Sequence, residues 1–158
     1  MKRLLIVYHT QFGATRQMAE AAAAGARTIA DVATALHRAA DAGVDDLLAA
    51  DALLLATSEN FGGMAGSVKD FLERVYYPCE DRLAGRGYST LVCAGTDGLG
   101  ALRDVDRVAT GLRLVRAHPG VLHRSGLTAQ PYVVPTAVLA QCAEAGATLA
   151  AGLASGLW

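Results

Sequence analysis

Three short segments combine glycine with hydroxyl, amide or carboxylate side chains, and each follows an apolar run. They are Thr10-Gln11-Phe12-Gly13-Ala14-Thr15, Ser58-Glu59-Asn60-Phe61-Gly62-Gly63 and Gly95-Thr96-Asp97-Gly98-Leu99-Gly100. In the first, two hydroxyls bracket a turn made flexible by Gly13, and the helix that follows points its free amides and positive dipole end into that turn. Such a loop can hold a phosphomonoester without lysine or arginine. The same residues also suit an ordinary strand-to-helix turn with Thr15 as N-cap. In the second segment, Gly62 and Gly63 let the backbone come close to a flat ring. Phe61 either covers that ring or anchors the loop in the core, and the glycine pair serves a tight turn equally well. Asp97, in the third, reads as a site residue, a helix N-cap or a loop bracket.

Other side chains offer less chemistry. His9, His37, His118 and His123 form no metal-spaced cluster with cysteines or carboxylates, so no metal site is expected. His9 stands beside the first segment, where it would donate to a phosphate or simply hold the loop. Cys79, Cys93 and Cys142 lie far apart without CxxC spacing, and Cys93 sits within an apolar run as a small buried hydrophobe. No GxSxG elbow surrounds Ser67. Arg103, Arg107, Arg113 and Arg116 fall on or near one helix, interleaved with Asp104 and Asp106, the pattern of a solvated face.

The elements that position the three segments follow from periodicity. Arg3–Tyr8 reads as a strand, Thr15 to about Ile29 as an Ala-rich helix, Ala33–Arg38 as a weaker strand and Val44–Ala49 as a short helix. Asp51–Ala56 is an unbroken apolar run, as expected of a parallel strand covered on both faces. Gly66–Tyr76 reads as a helix ending before Pro78, Tyr88–Ala94 as the fourth strand and Leu102–Val115 as a helix. The fifth strand has two short candidates, Gly120–Leu122 and Tyr132–Val134, separated by the polar stretch Arg124–Gln130. The last helix starts near Thr136. This alternation predicts one α/β domain over residues 1–158, a doubly wound sheet of five parallel strands between helical layers. Ligands of such sheets bind at the carboxyl ends of the strands, where all three segments would converge.

Composition narrows the partners. Fourteen basic and fifteen acidic side chains leave a net charge of −1, which supplies no basic stripe for nucleic acid. The three scattered cysteines, and a start that leads from Lys2 and Arg3 straight into a strand, fit a cytoplasmic location. From Thr136 to Trp158 the only formal side-chain charge is Glu144. A carboxylate at a bilayer centre costs at least ~2.5 kcal/mol, and Ala and Gly do little to offset it, so a helix packed on the sheet is expected rather than membrane insertion. Leu153, Leu157 and Trp158 are candidates for an apolar interface, or for burial on the chain's own sheet.

The first loop contains no GxGxxG, with Gly13 its sole glycine, which argues against a dinucleotide fingerprint. With the three segments together, the chain resembles the flavodoxin-like superfamily, and within it the NAD(P)H-dependent FMN reductases and quinone oxidoreductases. The resemblance covers nearly the whole chain. Its most specific part is Asn60-Phe61-Gly62-Gly63-Met64-Ala65-Gly66, which looks like the flavin-ring loop of tryptophan-repressor-binding-protein-like quinone reductases. The first loop departs from the flavodoxin T/S-x-T-G-x-T pattern by placing Phe12 at the middle threonine, which removes one hydroxyl from the phosphate.

The resemblance implies a flavodoxin-like sheet of strand order 2-1-3-4-5, FMN as cofactor and NAD(P)H as co-substrate. Thr10, Thr15 and the amides of Gln11, Phe12, Gly13 and Ala14 would hold the phosphate. Ser58, Glu59, Asn60, Phe61, Gly62 and Gly63 would line the isoalloxazine, with Gly95, Thr96, Asp97, Gly98 and Gly100 on its pyrimidine side. A charge at Asp97 near the flavin would disfavour its anionic reduced form. The implied activity passes reducing equivalents to a quinone, free flavin or similar small acceptor. The alternative is a flavodoxin-type electron carrier that docks to redox proteins. A homodimer or homotetramer is the family expectation.

Overall fold

The computed structural model describes residues 1–158. In chain order the elements are β1 (Lys2–Tyr8), α1 (Ala14–Ala26), β2 (Val32–Arg38), α2 (Val44–Ala49), β3 (Ala52–Asn60), β4 (Gly63–Met64), α3 (Gly66–Cys79), β5 (Gly87–Ala94), α4 (Leu99–Gly111), β6 (Val115–Arg116), β7 (Val121–Arg124) and α5 (Thr136–Ala154). The sheet runs β2-β1-β3-β5-β6 with every one of these pairings parallel, and β7 also pairs in parallel with β5. With β6 and β7 taken as one interrupted fifth strand, this is the expected 2-1-3-4-5 order. The fold is flavodoxin-like α/β.

Two cores sandwich the sheet. On one face Leu4, Ile6, Leu54 and Leu91 pack against Met18 and Ala22 of α1 and against Leu149 and Leu153 of α5. On the other, Leu5, Val7, Leu53 and Leu55 meet Phe71 and Val75 of α3 and Val105 of α4. Because both faces are covered, β3 is buried from Ala52 to Thr57 and β5 over its whole length, which explains their unbroken apolar sequence. Each large side chain so buried contributes about 1.5–3 kcal/mol. Helices α1 and α5 cross with backbone almost touching, since a Cβ on Gly25 or Gly146 would collide with the carbonyls of Ala143 or Ala22. By length and composition α5 could cross a membrane. In this fold its Cys142, Ala145, Leu149 and Leu153 lie in the core with α1.

Several sequence expectations need correction. The helix predicted over Leu102–Val115 begins and ends earlier, at Leu99–Gly111, so Val115 starts the fifth strand instead. That strand is split, β6 pairing with the start of β5 and β7 with its end. Tyr132–Val134 is not a strand; its backbone is held by a side chain of α1, described below. Helix α3 continues through Pro78 to Cys79, because a proline one residue from the end costs one amide bond rather than interrupting a run. Leu153 is buried on the chain's own core, and Trp158 folds back over Gly87 and Gly152, so only Leu157 of the three proposed interface residues stands exposed. The indole Nε1 of Trp158 is buried without a hydrogen-bond partner.

Candidate functional site

The carboxyl ends of β1, β3, β5 and β7 open into one cleft of about 670 Å³, measured to its open mouth. Along its first wall, the Thr10 Oγ1 accepts the Gly13 N–H at 2.8 Å and closes a tight turn. Gly13, at φ 98°, is the N-cap of α1 and delivers no side-chain cap. Thr15 is therefore the second residue of the helix and not its cap. The first-turn amides of α1 have no intrahelical acceptor, and no acidic residue lies in that turn. Gln11, Phe12, Ala14 and Thr15 line the cleft beside Thr10.

The second wall is a hairpin. Glu59 pairs with Met64 and Asn60 with Gly63, leaving Phe61 and Gly62 as a two-residue turn at φ 52° and 75°. Positive φ at both central positions is the type I′ pattern, which normally selects Asn-Gly or Gly-Gly. Here it carries an aromatic residue in a disfavoured backbone region. Phe61 is fully exposed at the tip, which excludes the core-anchor reading. The base of the hairpin is pinned by Thr57, whose buried hydroxyl accepts the Ala65 N–H at 3.0 Å. The Ser58 Oγ, on the cleft wall, is buried with no hydrogen-bond partner.

Helix α4 braces this hairpin from behind. The Glu59 carboxylate accepts the Gly98 N–H at 2.9 Å and the Ala101 N–H at 3.0 Å, capping α4 from another element. Asp104 accepts the Met64 N–H at 3.1 Å. A Cβ at Gly100 would collide with the Gly62 carbonyl, so this glycine lets the helix abut the hairpin backbone. Asp97 is not an N-cap, since that position is Gly98. Its backbone carbonyl instead accepts the Arg124 Nε–H at 2.9 Å, and this contact brackets the loop.

Of the residues singled out in the sequence, Thr10, Gln11, Phe12, Ala14, Thr15, Ser58, Glu59, Asn60 and Gly95 line the cleft together. Gly13 lies behind it as helix cap, Phe61, Gly62 and Gly63 form the hairpin's outer end, and Thr96 and Asp97 stand exposed on the rim. Gly98 and Gly100 turn away, toward Leu122 and Gly62. Sequence reasoning missed the fourth loop. Ser125, Gly126, Leu127, Thr128, Gln130 and Tyr132 form a strap over the cleft, and Cys93 and Ala94 complete its floor. Gln17 of α1 secures the strap by donating to the Tyr132 carbonyl at 2.9 Å and accepting the Val134 N–H at 3.0 Å. The Tyr132 hydroxyl and the His123 Nε2 share a hydrogen bond at 3.1 Å, with the two rings stacked. A legible signal existed: a polar Ser-Gly-x-Thr segment directly after an extended run.

The cleft's only formal charge is Glu59, and both its oxygens are spent on α4. Burial, with a further push from Arg38, lowers the His9 pKa, so its ring is neutral at pH 7 and adds no cation. Burial raises the Cys93 thiol against a smaller opposing hydrogen bond from Ser125, so it is no thiolate nucleophile. What remains is a set of neutral donors: uncapped amides, the Thr10 and Thr15 hydroxyls and an orphaned Ser58 hydroxyl. These fit a phosphorylated, largely uncharged planar molecule.

The sequence pattern of the Flavodoxin family matches residues 6–108, which includes the end of β1, the hairpin and most of α4. The chain belongs to the flavodoxin family. It is 34% identical over 117 residues to an NAD(P)H dehydrogenase (quinone) of Acidithiobacillus ferrooxidans, covering 61% of this chain and 58% of that protein. A flavodoxin of Aquifex aeolicus is 33% identical over 75 residues, 48% of this chain and 40% of that one. The chain thus spans about half the length of these curated relatives. Among solved structures, a flavodoxin from the domain Archaea superposes with a TM-score of 0.79 at 18% identity, covering 96% of this chain and 99% of the other. That likeness supports the family fold.

Proposed function

We propose that this flavodoxin-family protein binds FMN and is an oxidoreductase of the quinone reductase branch. In this reading it takes reducing equivalents from NAD(P)H and passes them to a quinone, free flavin or similar small acceptor. The observation that carries the reading is the cleft itself, with uncapped α1 amides beside two hydroxyls at one end and a glycine hairpin at the other. The similarity to NAD(P)H dehydrogenases (quinone) supports the activity.

FMN supplies the redox chemistry when bound. The protein's residues do the rest. Thr10, Thr15 and the amides of Gln11 to Thr15 hold the phosphate, and the α1 dipole favours its charge. The Ser58 hydroxyl gains a partner in the cleft, while Asn60 and the hairpin backbone contact the ring. Glu59 and Asp104 keep the hairpin in place, so that this contact is prepaid rather than formed on binding. The strap Ser125–Tyr132 shields the cleft from water. Gly95, Thr96 and Asp97 form the remaining rim, and Phe61 at the hairpin tip borders the entrance used by a co-substrate. No side chain here is needed as acid or base.

The test begins with an absorbance spectrum and an FMN titration of purified protein, followed by NADH and NADPH oxidation with a quinone acceptor. Micromolar or tighter FMN binding with steady turnover supports the reading. Absence of FMN binding overturns it. Binding without turnover assigns the chain to the electron carriers that the Aquifex aeolicus flavodoxin similarity would favour.

A further inference from the structure

Beside the hairpin tip, α4 carries a stripe of exposed side chains that leads away from the cleft mouth. Leu99, Arg103 and Arg107 are spaced four residues apart and share one face of the helix. The stripe starts at the entrance, since Leu99 follows Asp97 of the rim by two residues and Gly100 abuts the Gly62 carbonyl of the hairpin. With Leu102 and Thr110 these residues line an open groove of about 930 Å³. In sequence the interleaved Asp104 and Asp106 balance the two arginines; in the fold both carboxylates are engaged elsewhere. Asp104 accepts the Met64 N–H, while Asp106 pairs with Arg116 and accepts the Tyr88 hydroxyl at 3.1 Å. Arg103 and Arg107 enter none of the chain's ion pairs. At the rim itself, Arg124 donates to the Asp97 carbonyl and sets a cation beside that residue. Two unengaged guanidinium groups therefore stand in a row leading outward from the cleft.

We infer that this stripe holds the phosphates of the nicotinamide dinucleotide and selects NADPH over NADH, Arg103 binding the diphosphate and Arg107 the 2′-phosphate. The inference rests on the proposed use of NAD(P)H at the cleft. Guanidinium forks match phosphate oxygens in geometry and charge. The order of the groups also matches. From its nicotinamide outward, the dinucleotide presents first a diphosphate and then, one ribose further, the 2′-phosphate. From the entrance outward, α4 presents Arg103 about 6 Å beyond Leu99 and Arg107 about 6 Å beyond that, at 1.5 Å of rise per residue. NADH lacks the second anionic group and leaves Arg107 unengaged. The cleft lining holds no lysine, arginine or histidine, so a cation that tells the two dinucleotides apart has to lie outside it.

Isothermal titration calorimetry of the full chain with adenosine 2′,5′-bisphosphate and with 5′-AMP reads the 2′-phosphate contact without any turnover. The wild-type protein should bind the bisphosphate about tenfold more tightly, and the preference should shrink between about 50 and 200 mM salt, as exposed charges are screened. Arg107→Gln should erase the preference and raise the KM for NADPH about tenfold, with the KM for NADH unchanged. Arg103→Gln should raise both KM values. Both side chains are exposed and outside the cleft, so FMN affinity, kcat and Tm should stay at wild-type values in each variant. Equal wild-type affinity for the two nucleotides overturns the inference. So does an Arg107→Gln variant that keeps the wild-type KM for NADPH. A bisphosphate preference lost in Arg107→Gln, in a protein that oxidises neither NADH nor NADPH, strikes the proposed activity and upholds the nucleotide contact on α4.

Discussion

Two helices enter the cleft region through the same local device and meet opposite fates. Both α1 and α4 start from a left-handed glycine, Gly13 at φ 98° and Gly98 at φ 79°, and neither has a cap from its own side chains. At α4 the amides are taken by Glu59, a carboxylate delivered from the neighbouring strand. At α1 nothing comparable arrives. The same local sequence solution, a glycine that turns the chain, therefore yields a structural joint in one place and an open anion seat in the other. What separates them is whether another element supplies a negative charge.

The comparison is broken most forcefully at Glu59. Glu59→Ala leaves two amides of α4 without their ionic acceptor and should lower stability by about 2–3 kcal/mol, read by chemical denaturation. Glu59→Gln, which keeps the length and one acceptor oxygen, should recover part of that loss. An unchanged midpoint in Glu59→Ala would show that the joint at α4 bears no weight.

At the other helix the balance should reverse. Thr10→Ala with Thr15→Ala is expected to weaken FMN binding by tenfold or more, about 1.4 kcal/mol. Its stability cost should stay near 1 kcal/mol, the price of losing the Thr10 to Gly13 bond. Flavin fluorescence titration measures the first and thermal melting the second. A smaller effect follows for Gln17→Ala, which releases the strap from α1. The expected signature is faster proteolysis within residues 125–134 and a stability loss of about 1 kcal/mol.

The smallest effect concerns pH. His9, His118 and His123 all have pKa values pushed below the ordinary imidazole value of about 6.5, in each case chiefly by burial; Arg38 adds to the shift at His9, and Glu144 opposes it at His118. Below pH 6.5 the unfolded chain then binds more protons than the folded one, so stability rises with pH in that window and is lost as pH falls. A decline of a few degrees in Tm between pH 7 and pH 5, blunted by His123→Gln, is the expected outcome. A Tm that rises on acidification would contradict it.

The alternation of strands and helices was readable because β3 and β5, covered on both faces, are written as plain apolar runs. The first two loops each suit an ordinary turn when taken alone, and what made them legible as one site was that both follow such strands and so end at the same edge of the sheet. The roles within them were less so. Glu59 appears in sequence as one more residue of a ring-binding loop, and nothing local reveals that its partners lie 39 and 42 positions away. Phe61 hid a type I′ turn because an aromatic replaces the residues that such a turn prefers. The strap escaped notice for a related reason: it has no periodicity, and its anchor, Gln17, is 115 and 117 residues distant from the groups it holds.

Trp158, the chain's single tryptophan, rests over Gly87 at the opposite end of β5 from Ala94 in the cleft floor. Seven residues of strand put roughly 23 Å between those two ends. The indole is thus a built-in optical reporter stationed away from the binding chemistry. Its emission registers the opening of the sheet's far end, so loosening of the scaffold can be followed separately from events in the cleft.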